Sequence, residues 1–318
     1  MPCPVAPIRG SWHDGRMTIH SFAKPGRFLR GNLHTHSTRS DGKLAPEEVS
    51  RRYRAMGYDF YALTDHFLER YGWPITDTTG HRGEGFTTLI GAELHTGRTS
   101  QGDIWHILAV GLPPGFAATS ADETGPALAR RAMAAGAFVA IAHPQWYGLT
   151  EADGRALSFV HAVEIYNHNC LIDADRPDGA YLLDRMLGEG HDLMAIATDD
   201  AHFLDEADEN ADAFGGWVMV KAERNEPEAI LAALKAGDFY ASQGPEFRDM
   251  RLDGDTLVVR TTAVTRIMAL GQASRAVKVA GQALTEARID IAKFRGGWLR
   301  VVATDAAGRR AWANPIRV

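Results

Sequence analysis

The sequence predicts an α/β fold in which a parallel sheet with crossover helices, either open or closed into a barrel, precedes a small antiparallel β domain. Three observations support this fold class. Apolar strand-like runs alternate with helix-like runs up to residue 245. Proline and glycine stand where several helices would begin and end. From residue 246 onward the runs become short and alternate between apolar and polar side chains, as antiparallel strands do.

The first part of the chain contains eight apolar runs that are typical of buried strands. They occupy residues 31–33, 58–63, 88–93, 105–111, 137–142, 162–166, 193–197 and 217–220. Helical patterns lie at residues 46–56, 125–135, 180–188 and 226–235. Pro46 and Pro126 stand at the start of two of these helices, and Gly57 and Gly136 follow their ends. We therefore expect strands of one sheet that are joined by crossover helices.

We expect three segments along the chain. Residues 1–27 form a lead-in with a candidate turn at Asp14-Gly15, residues 28–245 form the α/β domain, and residues 246–318 form a small domain that resembles a β-sandwich. Short runs supply the strands of this last domain, at residues 256–260, 266–271, 276–280, 298–303 and 310–318.

Composition argues against several classes of protein. The hydrophobic fraction of 45% and the charged fraction of 23% are those of a soluble globular protein rather than a disordered one. Cys3 and Cys170 alone make neither a disulfide framework nor a cysteine-based zinc site. Because we find no signal pattern and no apolar run of membrane-spanning length, we expect a cytoplasmic protein without a membrane partner. A net charge of −6 without a Lys/Arg-rich stretch disfavours a nucleic-acid partner, and homo-oligomerisation stays open.

The most informative feature is a set of His and acidic residues at or near the ends of predicted strands. The carboxyl ends of barrel strands share one face, so residues far apart in sequence meet there. His106 stands early in its strand, so we expect that strand to run antiparallel and bring its start to the same face. The candidate metal ligands are His34, His36, Asp41, His66, Glu93, His106, His143, Asp200 and His202.

These residue types predict a site for two or three divalent ions. Imidazole and carboxylate together suit Zn, Mn or Fe. One catalytic ion needs only three or four protein ligands, so nine candidates imply more than one ion. Each residue taken alone could be ordinary, since Glu93 could cap a helix and Asp41 could form a turn. Their joint placement at successive strand ends favours the metal site.

Other residues near these positions are candidates for substrate binding or proton transfer. Arg39 lies in the first motif loop, where it could clamp a phosphate oxygen or remain a solvated arginine. Trp146 and Tyr147 could form walls of the pocket or pack the barrel top. Asn167 and His168 follow the sixth strand, and we expect Asn167 to contact substrate and His168 to act as a general acid.

Three further residues stand beside candidate ligands. Asp65 and Asp199 directly precede His66 and Asp200, and we interpret them as carboxylates that orient the imidazoles. His95 follows Glu93 by two positions and can face the same side of its strand, but it receives no functional role.

The motifs that carry these residues closely resemble those of the PHP (polymerase and histidinol phosphatase) superfamily, and they occur in the family's order. The matching stretches are His34-Thr-His36-Ser-Thr-Arg-Ser-Asp41-Gly42, Leu63-Thr-Asp-His66, Gly91-Ala-Glu93, His106, Ala142-His143-Pro144, Val163-Glu164-Ile165-Tyr166-Asn167 and Asp200-Ala-His202. The resemblance implies a distorted (β/α)7 TIM-like barrel with up to three metals. The tail, at residues 234–245 and 308–315, is similar to the CehA/McbA-type metallohydrolases, which carry a C-terminal β domain.

By motif position, the resemblance also implies how the ligands are divided. The first ion would be held by His34, His36, Glu93 and Asp200. Glu93 would bridge to a second ion that is held by His106 and His143. Asp41, His66 and His202 would hold a third.

The sequence thus predicts a metal-dependent hydrolase, most simply a phosphoesterase for a mono- or diester of a small metabolite. Hydroxide bridging the ions would attack the ester, and Glu93, Asp200 and His202 belong to the catalytic set. The alternative is a carboxylester or aryl carbamate hydrolase with the same metal site. A nucleic-acid-processing module and a non-catalytic metal-binding module are less favoured.

Overall fold

The computed structural model describes residues 10–13 and 16–318, so the turn predicted at Asp14-Gly15 lies outside the described residues. The strands, in chain order, are β1 (Gly10–His13), β2 (Arg16–Ile19), β3 (Arg27–Asn32), β4 (Phe60–Leu63), β5 (His66–Phe67), β6 (Thr87–Thr96), β7 (Trp105–Val110), β8 (Phe138–Ile141), β9 (Ala162–Asn167), β10 (Met194–Thr198), β11 (Trp217–Ala222), β12 (Phe239–Ser242), β13 (Phe247–Asp253), β14 (Thr256–Gly271), β15 (Ala276–Asp290), β16 (Trp298–Thr304), β17 (Arg310–Ala313) and β18 (Ile316–Arg317). The helices are α1 (His20–Ala23), α2 (Pro46–Ala55), α3 (Gly125–Ala134), α4 (Glu151–Ala156), α5 (His168–Ala174), α6 (Ala180–Gly188) and α7 (Pro227–Ala236).

The α/β prediction is confirmed, and the sheet is mixed rather than purely parallel. β3, β4 and β6 pair in parallel, as do β8, β9 and β10. β7 runs antiparallel to both β6 and β8, as predicted from the position of His106. β11 pairs antiparallel with β3 and with β12. The first part of the chain therefore has a continuous ladder from β12 through β11, β3 and β4 to β10.

A closed barrel is not shown. Among the described residues, β10 has a ladder with β9 but none with β3 or β11, so the sheet stays open at this edge. The segments beyond β3 and β10 nevertheless lie side by side, joined by an isolated parallel bridge between Thr35 and Ala201. His36 N donates to Ala201 O, and Asp200 N donates to His34 O, both at 2.9 Å. These two segments carry four of the predicted metal ligands.

Helices cover the sheet, so that its central strands are buried. Every residue of β4, β8 and β9 is buried, as expected for strands between helical layers. The predicted helices are confirmed, and α6 has the predicted bounds. α3 begins after Thr124, whose side chain accepts a hydrogen bond from Ala127 N, and Gly136 follows its end with a φ of 96°. None of the described helices is long and apolar enough to cross a membrane.

The C-terminal strands form an antiparallel continuation of the same sheet. The runs predicted at residues 256–260 and 266–271 merge into β14, which pairs with β15 across register shifts between Arg260 and Arg266. β2 pairs with β13, and β12 pairs with β17. Hydrogen-bonded strands therefore cross both predicted domain boundaries, and those boundaries stay predictions.

Three side chains fasten the C-terminal strands to the α/β part. Arg300 on β16 makes a two-pronged ion pair with Asp184 on α6, at 2.7 and 2.8 Å. Arg317 donates to the carbonyls of Leu187 and His191. Asn314 joins β10 to β12. All these contacts lie near the start of β10, the end opposite to Asp200.

Replacing Asn314 with alanine should destabilise the protein. Asn314 Oδ1 accepts from Ala195 N and its Nδ2 donates to Phe239 O, both at 2.9 Å and both on buried residues. The variant leaves these backbone groups without partners, so we expect the free energy of unfolding to fall by about 1–3 kcal/mol. Urea denaturation followed by fluorescence measures this. Gln282→Ala, an exposed position on β15, is the control, and equal loss in both variants would contradict the explanation.

Candidate metal centre

The nine predicted ligands come together in one cluster. The loops after β3, β8 and β10 supply most of them, β5 and β6 supply one each, and β7 supplies one from its start. Glu93 lies inside β6 and not at its end as predicted, because this strand continues to Thr96. The members are buried or half-buried: His34, His36, Asp41, His66, Glu93, His106, His143, Asp200 and His202. Their role as metal ligands stays a prediction.

The first group of side chains surrounds Asp200. Its Oδ1 lies 2.9 Å from His36 Nε2 and 3.2 Å from His34 Nε2. Glu93 Oε2 lies 3.7 Å from each of the same two ring nitrogens. His34, His36 and Asp200 therefore form one compact group, with Glu93 beside it, and these are the residues that the family resemblance implies for the first ion.

A second group forms on the other oxygen of Glu93. Its Oε1 lies 2.7 Å from His106 Nδ1 and 3.0 Å from His143 Nε2. Because the two carboxylate oxygens face different imidazoles, Glu93 stands between the first group and the second. This is the position that a bridging carboxylate requires.

A third group is centred on Asp41. Its carboxylate lies 3.2 Å from His66 Nε2, 3.5 Å from His202 Nε2 and 3.9 Å from His36 Nδ1. Asp41 is the most exposed of these side chains, at 34%, so this group lies at the solvent side of the cluster.

The cluster contains buried polar atoms whose hydrogen-bonding capacity is unused. Within the described residues, His34 Nε2, Asp41 Oδ1 and Glu93 Oε2 have no hydrogen-bond partner. Buried polar atoms without partners are costly, so an arrangement that keeps several aimed at one another needs a compensating ligand. Nitrogen and oxygen donors without sulfur suit Zn, Mn or Fe. The residues present therefore fit a divalent metal centre.

Burial and the charges of neighbouring side chains shift the pKa values of several residues in the cluster. Burial, with the neighbouring His202 and His66 rings, lowers the pKa of His36 to about 3. Burial opposes protonation of His66, but the carboxylates of Glu93 and Asp41 outweigh it and raise its pKa to about 10. Burial would raise the pKa of Glu93, but the surrounding imidazoles hold it well below its usual value. Metal binding at His66 would therefore have to displace a proton.

Glu164 lies in a stretch that resembles the family, but sequence reasoning assigned it no role of its own. It is fully buried on β9, and its Oε1 accepts from His34 Nδ1 at 2.8 Å, which leaves His34 Nε2 to face the cluster. Its Oε2 accepts from His143 N at 2.7 Å and from Asn167 Nδ2 at 3.0 Å. A carboxylate that fixes the ring of a metal-binding histidine is a common partner of such sites. The available signal was a lone Glu in an apolar strand.

Two predicted substrate-binding residues lie behind the cluster. Asn167 is fully buried and donates to Asp200 Oδ2 at 3.1 Å, so it holds Asp200 in place. Tyr147 is 7% exposed and packs on the rings of His106 and His143, with centroids 5.2 and 5.4 Å away. Neither side chain lines the central cavity, so substrate contact by either is not supported.

The predictions for Arg39 and His168 are also not supported by the geometry. Arg39 is exposed on the first loop and does not line the cavity. His168 packs on Gly215, and its Nδ1 lies 2.7 Å from Tyr166 Oη, outside the cavity. Their positions after β3 and β9 correctly place both residues at the edge of the sheet that carries the cluster, but the spacing does not give the direction of their side chains.

Asp65 and Asp199 orient loops rather than imidazoles. Asp65 Oδ1 accepts from Ser37 N at 2.7 Å and from Ser40 Oγ at 2.9 Å, which fixes the loop between His36 and Asp41. Asp199 Oδ1 accepts from the backbone of Gly215 and Gly216, both at 2.9 Å. Both carboxylates therefore stabilise the backbone that carries the ligands, and neither contacts a ring as predicted.

The backbone around the ligands is strained or tightly packed. Asp200 and Phe203 have φ values of 59° and 60°, a left-handed conformation that costs free energy in residues other than glycine. A Cβ at Gly42 would come within 2.7 Å of the His36 carbonyl carbon and Ser37 nitrogen. The Asp-Gly pair of the first motif is therefore required for close packing against the backbone of His36.

A cavity of about 700 Å³ opens onto the cluster. Two arginines that sequence reasoning did not single out, Arg70 and Arg98, line it. Trp146, which is 39% exposed, forms a wall beside His106 and His143, as one reading of the sequence anticipated. All the described residues that line this cavity lie between positions 41 and 202, so the C-terminal strands do not contribute to it.

His95 also belongs to the cluster, although it received no role from sequence. Its Nε2 lies 2.8 Å from His66 Nδ1 and 3.4 Å from Glu93 Oε2. The signal was its position two residues after Glu93 on one strand, which places both side chains on the same face.

Replacing Glu164 with glutamine should weaken metal binding. Every neighbour of this carboxylate is a donor, namely His34 Nδ1, Thr198 Oγ1, His143 N and Asn167 Nδ2. The amide NH2 of glutamine would therefore face another donor, and we expect zinc affinity to fall about 10–100-fold. Competition with a chromogenic chelator measures this. Glu228→Gln, on the exposed start of α7, should bind as the wild type, and unchanged affinity in Glu164→Gln would count against this role.

Comparison with known proteins places the fold. No family model matches the chain, and no curated protein matches it in sequence. A two-domain protein from Bacteroides vulgatus that contains a predicted PHP-like metal-dependent phosphoesterase matches 94% of this chain and 94% of its own, with a TM-score of 0.52 and 16% identity. A proposed metal-dependent phosphoesterase from Bifidobacterium adolescentis matches 54% of this chain and 87% of its own, with a TM-score of 0.41 and 15% identity. An amidohydrolase from Chromobacterium violaceum matches 54% of this chain and 87% of its own, with a TM-score of 0.39 and 17% identity. The chain therefore has the fold of the two-domain Bacteroides protein.

Proposed function

We propose that this protein is a metal-dependent phosphoesterase that hydrolyses a mono- or diester of a small metabolite. The observation that carries the proposal is the cluster of nine His and acidic side chains around Glu93, with unused buried ligand atoms beside an open cavity. The fold shared with a protein that contains a predicted PHP-like metal-dependent phosphoesterase supports it. Membership of the CehA/McbA-like branch, with a distorted (β/α)7 barrel, is part of the proposal and rests on the sequence motifs.

The chain would hold two or three ions in the three groups described above. Bound ions would supply Lewis-acid activation of water and stabilise charge that develops on the ester oxygens. Glu164 and Asn167 would keep His34 and Asp200 in fixed orientations while this charge changes. The Asp200 carbonyl accepts from His202 Nδ1 at 2.8 Å and so turns His202 Nε2 toward Asp41. Rigid placement of the ligands is what the reaction requires from the protein.

Phosphate is favoured over other esters by the charge at the cavity. Arg70 and Arg98 line it together with the acidic Glu69 and Asp173, and among the described residues no ion pair of either guanidinium is found. Arg98 donates to the Gly102 carbonyl at 3.1 Å, which leaves further N–H groups for an anion. Together with the bound ions, these arginines would attract a phosphate group in spite of the acidic net charge.

A carboxylester or aryl carbamate substrate is the second candidate, and Trp146 favours it. The indole ring lies 5.1 Å from the His143 ring and 5.5 Å from the His106 ring, centroid to centroid. A partly exposed aromatic side chain at this distance from the ligands would suit an organic leaving group.

The release of p-nitrophenol tests both candidates. Protein loaded with Mn, Zn or Fe is offered p-nitrophenyl phosphate, bis-p-nitrophenyl phosphate and p-nitrophenyl acetate, with a chelator-treated control. We expect metal-dependent hydrolysis of at least one phosphate ester. Glu93→Gln should lose both bound metal and turnover, because Glu93 stands between two ligand groups, whereas Glu228→Gln should keep both. Hydrolysis of the acetate alone would overturn the phosphoesterase and favour the second candidate.

Replacing Arg98 with glutamine tests the anion-binding role. We expect the KM for the phosphate ester to rise about 10-fold, equivalent to about 1.4 kcal/mol, with little change in kcat. Arg39→Gln is a matched control, because Arg39 is exposed near the cluster but does not line the cavity. Equal KM values for Arg98→Gln and Arg39→Gln would argue against a phosphate contact at Arg98.

A further inference from the structure

His95 occupies a position where a side chain can act on the cluster without being one of its nine predicted ligands. It stands on β6 two residues after Glu93 and directly opposite His106 on β7. Its side chain is 2% exposed, so its polar atoms must find partners within the protein. Those partners are a backbone carbonyl on one side and the ring of His66 on the other.

The backbone carbonyl fixes which nitrogen of His95 carries hydrogen. His95 Nδ1 lies 3.1 Å from the Trp105 carbonyl oxygen, which can only accept a hydrogen bond. The hydrogen is therefore on Nδ1. The other nitrogen, Nε2, is left to contact His66.

The orientation of His95 in turn determines that of His66. The two rings approach with His66 Nδ1 and His95 Nε2 at 2.8 Å, a distance at which one nitrogen must donate. The neighbouring carboxylate oxygen, Glu93 Oε2, can only accept, which favours a hydrogen on His66 Nδ1, so His66 Nδ1 donates to His95 Nε2. Glu93 Oε2 is only 2.6 Å from the same His66 nitrogen, yet it has no hydrogen-bond partner of suitable geometry. The N–H of His66 is therefore directed at His95.

We propose that His95 is a positioning residue that selects the tautomer of His66. With Nδ1 held by His95, Nε2 is the nitrogen of His66 that faces Asp41, 3.2 Å away, and the neighbouring His202, and it is the nitrogen that an ion would bind. The chain of contacts runs from the Trp105 carbonyl through His95 to His66 and ends at the third ligand group. Glu164 acts in the same way on His34. The inference rests on the proposed metal site, but the hydrogen-bond chain exists independently of any ion.

A first experiment observes the hydrogen bond directly. In metal-free protein labelled with 15N-histidine, we expect a scalar coupling across the hydrogen bond between His66 Nδ1 and His95 Nε2, with the shared hydrogen correlated to His66 Nδ1. After zinc is added, the 15N shift of His66 Nε2 should change to that of a metal-bound nitrogen, and His95 Nε2 should not. A hydrogen that resides on His95 Nε2, or a His95 Nε2 that itself binds zinc, would overturn the proposal.

Variants of His95 provide the second experiment. His95→Gln retains an acceptor oxygen near the position of Nε2, so zinc affinity should stay within about threefold of wild type. His95→Leu has no acceptor, and its affinity should fall about 10–100-fold. His191→Leu, remote from the cluster and half-buried, is the control and should match wild type. Affinity in His95→Leu equal to wild type, or His95→Gln as weak as His95→Leu, would also overturn the proposal.

These experiments separate this inference from the proposed function. Wild-type protein that shows the coupling but binds none of zinc, manganese and iron would support the hydrogen-bond chain and overturn the metal-dependent phosphoesterase. Wild-type protein that binds zinc but shows the opposite direction of hydrogen bonding would overturn only the role of His95.

Discussion

The buried carboxylate of Glu93 is the constraint on which the site depends. An ionised carboxylate without solvent is stable only if opposite charges or donors surround it, and Glu93 is fully buried. The imidazoles of His106, His66 and His143 lie within 3.0 Å of its oxygens. The neighbouring strands must therefore bring their imidazoles to Glu93. Because β7 runs antiparallel to β6, it does so with His106 near its start rather than with a residue near its end.

The sequence predicted the cluster well and its surroundings poorly, for a physical reason. Strand periodicity and the common edge of strand ends determine where a ligand such as His143 or Asp200 must lie. The same reasoning anticipated that the strand of His106 runs backwards. Loop side chains follow no such rule, so Arg39 and His168 reached the right edge but point elsewhere. The segments beyond β3 and β10 meet through a few backbone hydrogen bonds, which no local pattern reveals.

Glu164, which received no role from sequence, and Asn167, which was expected to contact substrate, share a different property. Glu164 and Asn167 do not face the cavity, and their importance comes from the groups they hold. A single sequence shows a polar residue inside an apolar strand, but not its partners.

The C-terminal strands support the site without lying near it. They are bound to α6 and the start of β10 through Arg300 and Asn314, away from the cavity, and so they brace the strand whose far end carries Asp200.

The pairing of β6 with β7 divides the site into two parts that differ in how far apart their residues are in the chain. Glu93 and His106 are separated by 13 positions and meet within one hairpin, whereas His36 and Asp200 are separated by 164. The conformational entropy lost on closing a loop grows with its length, and hairpin contacts form without waiting for distant segments. The hairpin can therefore assemble its share of the ligands early in folding. The ligands that follow β3 and β10 meet only when the segments beyond these two strands lie side by side, so the site is completed by a contact between distant parts of the chain.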